Sequence, residues 1–146
     1  MATYSYKPGN GGVNAAGVAD SSRVSRVVDF AAVIAERAAA GQTALAASDV
    51  LEVLTIDAGT IVSGVTLEIV KAESTNTTAT IAVGDGSDAD GFVTATATSA
   101  ADVFGTAGAY TLGGKLFSAK DTIDFTIGTA VPSDLVVRVG ATFTRA

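Results

Sequence analysis

Three aspartates in a glycine-rich segment have the residue type and close spacing that a metal ion uses. Asp85, Asp88 and Asp90 lie in the segment 84–91, which begins and ends with glycine. Hard cations such as Ca²⁺ take carboxylate oxygens as ligands. The segment departs from the EF-hand pattern, and Asp and Gly also form ordinary turns through local hydrogen bonds and positive φ angles. We therefore interpret it as a turn with no metal, and Asp85, Asp88 and Asp90 are the candidates for the alternative, a cation site.

A second acidic pair, Asp121 and Asp124, has the residue types of a general acid and a general base. Strand alternation makes Asp124 an exposed residue, and nothing in the sequence implies the apolar pocket that raises the pKa of one carboxyl group in such a pair. The chain has no histidine and no cysteine, which removes the usual general base near neutral pH, the Ser-His and Cys-His nucleophiles and thiolate metal sites. The sequence predicts a protein that is not an enzyme, with no catalytic residues and no cofactor.

The positions of these aspartates depend on the strands around them. Beyond Ser48 the chain consists of about seven or eight short runs of alternating apolar and polar residues separated by turn residues, which is typical of a β-sandwich or jelly roll. Three runs define the expected core, with inward side chains that alternate along each strand. They are Ile61, Val65, Leu67 and Ile69; then Ile123, Phe125 and Ile127; and finally Leu135, Val137, Val139, Ala141 and Phe143.

Two connecting regions are also assigned from their turn residues. Gly113 and Gly114 predict a two-residue hairpin that joins 110–112 to 115–117, and 99–109 reads as a long loop. Before the strands, Asp29 is a suitable N-cap and Gly41 a suitable C-terminal stop for a short helix near residues 29–40. Phe30, Val33, Ile34 and Arg37 recur there at helical spacing, which favours a helix over the alternative, a strand. Residues 1–22 are rich in Gly, Asn, Ser and Ala, and we expect a flexible N-terminal arm there.

Length and charge limit the partners. At 146 residues the chain fits one domain. A net charge of −6 with scattered basic residues argues against nucleic acid as a partner, and no run reaches the roughly 20 apolar residues of a membrane helix. No secretory signal is visible at the N-terminus, so we expect assembly in a cytoplasm. The predicted fold is all-β: a jelly-roll-like β-sandwich over residues 23–146 that follows the arm, with one short helix.

Several segments together resemble small structural proteins of tailed-bacteriophage virions, in particular capsid decoration (cement) proteins. The resemblance covers roughly residues 24–145. The segments that carry the resemblance are Val28 to Gly41, Asp49 to Ile56, Ala58 to Glu68, residues 82–92 (AVGDGSDADGF), Gly114 to Phe117, and Asp121 to Asp124.

The resemblance implies a non-enzymatic β-sandwich that binds between major capsid protein subunits on the capsid surface, often as a homotrimer. It implies assembly in the bacterial host cytoplasm and supplies no catalytic residues. Two alternatives stay open: a tail, neck or head-fibre component, and a carbohydrate-binding β-sandwich. The latter usually presents exposed aromatic rings, and Tyr4, Tyr6 and Tyr110 are the only tyrosines available for such a surface.

Overall fold

The computed structural model describes residues 2–5, 22–111 and 113–145 of the chain. Ten strands and one α-helix are assigned within these ranges. In chain order they are β1 (Thr3–Ser5), β2 (Ser22–Asp29), α1 (Phe30–Ala39), β3 (Val50–Ile56), β4 (Thr60–Lys71), β5 (Thr80–Gly84), β6 (Val93–Ala97), β7 (Val103–Phe104), β8 (Lys115–Phe117), β9 (Asp121–Gly128) and β10 (Val136–Arg145).

The strands form two sheets that share one core. Sheet A has the order β1-β3-β9-β5-β6, and sheet B has the order β2-β10-β4-β7, with β8 also pairing with β4. The inward sets predicted for β9 and β10 are buried as expected, and one continuous cluster of apolar side chains joins both sheets and the helix. The mainly β sandwich with one short helix is therefore confirmed, whereas the jelly-roll connectivity stays a prediction.

The predicted inward face of β4 is wrong at its first residue. Val62 is fully buried and Ile61 only half-buried. Thr142 of β10 pairs with Gly64 and Phe143 pairs with Val62, so Ser63 has no opposite residue on β10 and forms a bulge. A bulge adds one residue to one strand and so reverses which side chains face inward. Alternation from Val65 onward could not show this insertion.

The helix occurs where its caps predicted it. Asp29 Oδ1 accepts hydrogen bonds from the backbone N–H groups of Ala31 and Ala32, at 3.0 and 3.3 Å. Gly41 follows the helix with a φ of 66°, which is the left-handed conformation that ends many helices. Phe30, Val33 and Arg37 are the helix residues that are buried. These three lie on one face, as their spacing indicated, whereas Ile34, the fourth residue at this spacing, is exposed.

The predicted hairpin across Gly113 and Gly114 is wrong. Both glycines do have positive φ, 79° and 77°. However, β8 pairs with β4, and residues 109–111 form a short 3₁₀ turn, while Leu112 lies outside the described residues. A side chain at position 114 would approach the carbonyl oxygen of Val62 to 2.3 Å. Gly114 therefore allows the chain to approach β4 closely. The predicted long loop also contains a strand, β7.

The first residues of the predicted arm belong to sheet A. β1 runs parallel to β3, with Tyr4 opposite Leu51, and the Arg37 guanidinium lies 3.6 Å from the centre of the Tyr4 ring. Residues 6–21, on which most of the arm prediction falls, lie outside the described residues. Within the described ranges, no helix has the length and apolar character needed to cross a membrane.

Candidate functional site

The segment 84–91 is a turn stabilised by its own first aspartate. Asp85 Oδ1 accepts hydrogen bonds from the N–H groups of Ser87 and Asp88, at 2.8 and 2.9 Å, and the Asp85 N–H donates to the Asp88 carbonyl at 2.9 Å. Asp90 is exposed. Across the residues that the structure describes, no three acidic side chains are arranged to hold a metal ion between them. The turn interpretation accounts for the local hydrogen bonds, and Asp85, Asp88 and Asp90 do not converge.

A tyrosine and a lysine hold the buried Asp85 carboxylate from the other side. The Tyr110 hydroxyl donates to Asp85 Oδ1 at 3.3 Å, and Lys115 Nζ donates to the Tyr110 hydroxyl at 3.1 Å. Lys115 Nζ also lies 3.5 Å from Asp85 Oδ2. Burial raises the pKa of Tyr110, and the Tyr110 hydrogen bond raises the pKa of Lys115. Tyr110 packs edge-on against Phe92, so its ring is not the open stacking surface that a carbohydrate site needs.

Asp124 is buried, which contradicts the prediction that it is exposed. Alternation correctly points it away from the core, but its exposed fraction is only 5%. The turn 85–89 folds over this outer face of sheet A because Gly84 has no side chain: a Cβ at position 84 would meet the Asp88 carbonyl oxygen at 2.0 Å. Gly84 is the direct cross-strand partner of Asp124. The turn thus covers a residue that would otherwise face water.

The surroundings of Asp124 are acidic. Glu52 of β3 is its partner on the other side in sheet A. Burial, together with the negative charges of Glu52, Asp121 and Asp85, raises the pKa of Asp124 to about 7, against the lowering effect of a hydrogen bond from Thr122. Asp124 Oδ1 and the Thr126 hydroxyl are buried with no hydrogen-bond partner. A buried carboxyl group with an unpaired oxygen is costly unless something neutralises it.

A cavity of about 310 Å³ lies between sheet A and this turn. We call it the acidic cavity, and its lining comprises Thr3, Val50, Glu52, residues 85–89, Asp121, Thr122, Asp124 and Thr126. It unites the two acidic groups that the sequence analysis considered separately, since Asp85 and Asp88 face it together with Asp121 and Asp124. Asp90 does not line it. No signal in the sequence predicted the pairing of Glu52 with Asp124, which follows from strand register.

Glu73 is a second buried carboxylate that the sequence analysis missed. Its Oε1 accepts from the N–H groups of Thr75 and Asn76 and from the Ser133 hydroxyl. Its Oε2 accepts from the N–H groups of Ser133, Asp134 and Leu135. Burial would raise the pKa of Glu73, but these hydrogen bonds outweigh it and lower the pKa. Glu73 therefore holds two loops together, which is a structural role. The only signal for this role in the sequence is an acidic residue just before a polar turn.

The outer face of sheet B offers a different kind of surface. One row crosses its four strands: Val27 of β2, Arg138 of β10, Glu68 of β4 and Val103 of β7. Arg138 and Glu68 form an ion pair at 2.8 Å, and the two valines at the ends are exposed, at 46% and 61%. Among the described strands none pairs with the outer edge of β2. A strand edge that lies beside no other described strand can accept another chain by hydrogen bonding, and β2 offers such an edge over eight residues.

Comparisons with solved structures find the same fold in chains from phage capsids. A chain of the structure described as "Cyanophage Pam1 capsid asymmetric unit" has 19% identity and a TM-score of 0.60, with coverage of 97% of this chain and 91% of that one. A chain of the "acidic stable capsid structure of Helicobacter pylori bacteriophage KHP30" has 13% identity and a TM-score of 0.60, with coverage of 86% and 88%. A chain of the "capsid of Ralstonia phage GP4" has 12% identity and a TM-score of 0.59, with coverage of 91% and 88%.

No protein-family model matches the sequence, and no curated protein matches it. At these identities the structural likeness establishes the fold. The match extends over most of each chain, so it concerns the whole two-sheet arrangement.

Proposed function

We propose that this chain is a non-enzymatic structural protein of a tailed-phage virion, and specifically a capsid decoration protein that binds the major capsid protein on the head surface. The observation that carries the proposal is the likeness of the whole sandwich to chains from the capsids of three phages. The resemblance of the segment 82–92 and its neighbours to decoration proteins supports the same assignment independently. Folds host many functions, so the position on the particle is the property to test.

The contact surface is proposed to include the outer edge of β2 and the arm that leads into it. An edge strand supplies main-chain hydrogen bonds to a partner strand, and Val27 adds exposed apolar surface there. The partner is the major capsid protein, since a decoration protein gains stability by burying surface between its subunits. Each copy contributes modest free energy that the symmetry of the shell repeats many times. We also propose a homotrimer, which mass photometry of the purified protein would test.

The decisive experiment mixes the purified protein with capsids assembled without it and locates the added density by cryo-EM. Density at repeated positions on the outer surface of the head, with a higher melting temperature of the shell, is the expected result. Density on the tail, neck or head fibres, with none on the heads, would favour the alternative that the chain is a tail, neck or head-fibre component. Density within the continuous shell would make the chain a shell subunit and would overturn the decoration role.

Two matched variants test the surface. Val27→Gln and Val103→Gln introduce the same neutral polar side chain at opposite ends of one row. Val27→Gln is expected to weaken head binding about tenfold, as for a contact residue of moderate importance, while Val103→Gln retains wild-type affinity. Equal effects of the two substitutions would remove the β2 edge from the proposed contact and leave the head location to the cryo-EM result.

A further inference from the structure

The acidic cavity combines concentrated negative charge with unsatisfied oxygens. Five carboxyl groups line it, those of Glu52, Asp85, Asp88, Asp121 and Asp124, and Lys115 is the cation that the structure places against one of them, Asp85. Asp124 is more than nine-tenths buried, and its Oδ1 has no hydrogen-bond partner. The Thr126 hydroxyl in the same lining has none either. Both residues line the cavity, on the face of sheet A that points away from the core.

Strand register concentrates carboxyl groups beside this cavity. Like charges directly opposite each other in a sheet are destabilising, and Glu52 and Asp124 are opposite partners. A buried carboxyl group either binds a proton or finds a counter-charge. The structure places Lys115 against Asp85 and Tyr110, and a cation beside Asp124 would supply such a counter-charge.

We propose that the acidic cavity binds a hard divalent cation that keeps part of its water shell, with the carboxylates of Asp124 and Asp121 as its protein ligands and the Thr126 hydroxyl beside it. Mg²⁺ commonly keeps several waters and is held by one or two carboxylates, and Ca²⁺ also accepts water among its oxygen ligands. A site of this kind agrees with the finding that no three acidic side chains of the described residues can hold a bare ion.

The size and the ligand set of the cavity fit a hydrated ion. A water molecule occupies roughly 30 Å³ of liquid, so about 310 Å³ has room for an ion and several waters. Asp121 lies beside the turn, with Oδ1 3.3 Å from the place of a Cβ at Gly86. The ligands differ from those considered in the sequence analysis, because Asp85 is held by Tyr110 and Lys115 and Asp90 lies outside the cavity. This site does not depend on the proposed role on the capsid.

The test measures thermal unfolding of the full chain at pH 8 after treatment with EDTA. About 10 mM MgCl₂ or CaCl₂ is compared with about 30 mM KCl, which has the same ionic strength. With a dissociation constant of about 1 mM, typical of weak Ca²⁺ modules, the divalent salt raises the folding equilibrium constant about tenfold. Isothermal titration with each ion then gives the stoichiometry, expected to be one per chain.

Two substitutions make the result specific. Asp124→Asn keeps the size of the side chain and removes its charge, and it is expected to abolish the response to divalent ions. Asp90→Asn makes the same change in the same turn outside the cavity and is expected to leave the response intact. Should Asp124→Asn fail to fold, Asp121→Asn takes its place and is expected to weaken binding at least tenfold.

Three results would overturn the proposal. One is a stabilisation no larger in MgCl₂ or CaCl₂ than in KCl, which would assign the neutralisation of Asp124 to a proton alone. Another is a full divalent response in Asp124→Asn or, if that variant does not fold, in Asp121→Asn. The third is an equal loss of response in Asp90→Asn, which would indicate general screening of an acidic surface.

Discussion

Two buried carboxylates show how the same functional group can stabilise or strain a fold. Glu73 receives six hydrogen bonds from two loops, so its ionised form is favoured. Asp124 is buried, lies opposite another acid and has an unpaired oxygen, so its neutral form is favoured. Their pKa values move in opposite directions for this reason.

Glu73→Gln is expected to lower the free energy of unfolding by about 3 kcal/mol or more, because an amide nitrogen would face backbone N–H donors that stay buried and unpaired. Urea unfolding at pH 7 measures this change, with Glu36→Gln on the exposed face of α1 as the control. Since the folded pKa of Glu73 is lowered, its stabilisation is present above the unfolded pKa and is lost as pH falls through the folded pKa. The difference between wild type and Glu73→Gln should therefore shrink in acid; a constant difference would contradict this.

Asp124→Asn is expected to stabilise the protein at pH 8 in EDTA. The folded state holds a proton on Asp124 up to about pH 7, whereas the unfolded chain releases it near pH 4. The wild-type free energy of unfolding thus falls as pH rises through this window, and the variant lacks that loss. Thermal melts of both proteins between pH 4 and pH 8 should diverge progressively, by about 2–4 °C for each 1 kcal/mol. Parallel curves would show that Asp124 ionises freely.

At the scale of elements, the turn 85–89 decides what the outer face of sheet A becomes. β5 ends at Gly84, and the turn folds back over the neighbouring strands because no Cβ stands in its way. The result is a covered cavity on a face that alternation alone would leave in water. Gly114 likewise lets the chain that leads into β8 approach β4, because a Cβ at this position would overlap the Val62 carbonyl oxygen.

Gly84→Ala is expected to cost about 1–3 kcal/mol, since the added methyl group overlaps the Asp88 carbonyl and forces the turn outward. Gly105→Ala is the matched control, because a Cβ there meets nothing within 4 Å. Opening the turn also rehydrates Asp124, so its pKa should fall toward the usual range, as measured by NMR titration of the carboxyl carbon. An unchanged Asp124 pKa in Gly84→Ala would show that the turn does not cause its burial.

At the scale of the whole molecule, the two sheets are joined by one core. β9 and β5 of sheet A and β10 and β4 of sheet B contribute side chains to a single apolar cluster, to which α1 adds Phe30 and Val33. Neither sheet has a core of its own. The fold that results is similar to that of chains from three phage capsids.

The described sandwich is expected to unfold in one cooperative transition, because loss of either sheet exposes the core of the other. Urea titrations followed by far-ultraviolet circular dichroism and by tyrosine fluorescence should give the same midpoint. Distinct midpoints would mean that sheet A and sheet B are separate folding units.

The sequence by itself determined the longer strands, the short helix and most of the core. Alternation predicted the inward side chains of β9 and β10, and Asp29 and Gly41 predicted the ends of α1, because these signals act through local backbone geometry. The likeness of the fold to chains from phage capsids also agrees with the resemblance seen in the segments from Val28 to Asp124. Residues 6–21 and the proposed decoration role stay predictions.

Only the tertiary structure decided the partners of each strand and the surroundings of each charge. The bulge at Ser63, the pairing of β8 with β4 and the register that sets Glu52 opposite Asp124 all depend on contacts between residues far apart in the chain. Burial of Asp124 needed a turn from another strand to cover it. The pKa of a carboxyl group follows from such neighbours, and for this reason the acidic cavity could not be found from spacing along the sequence.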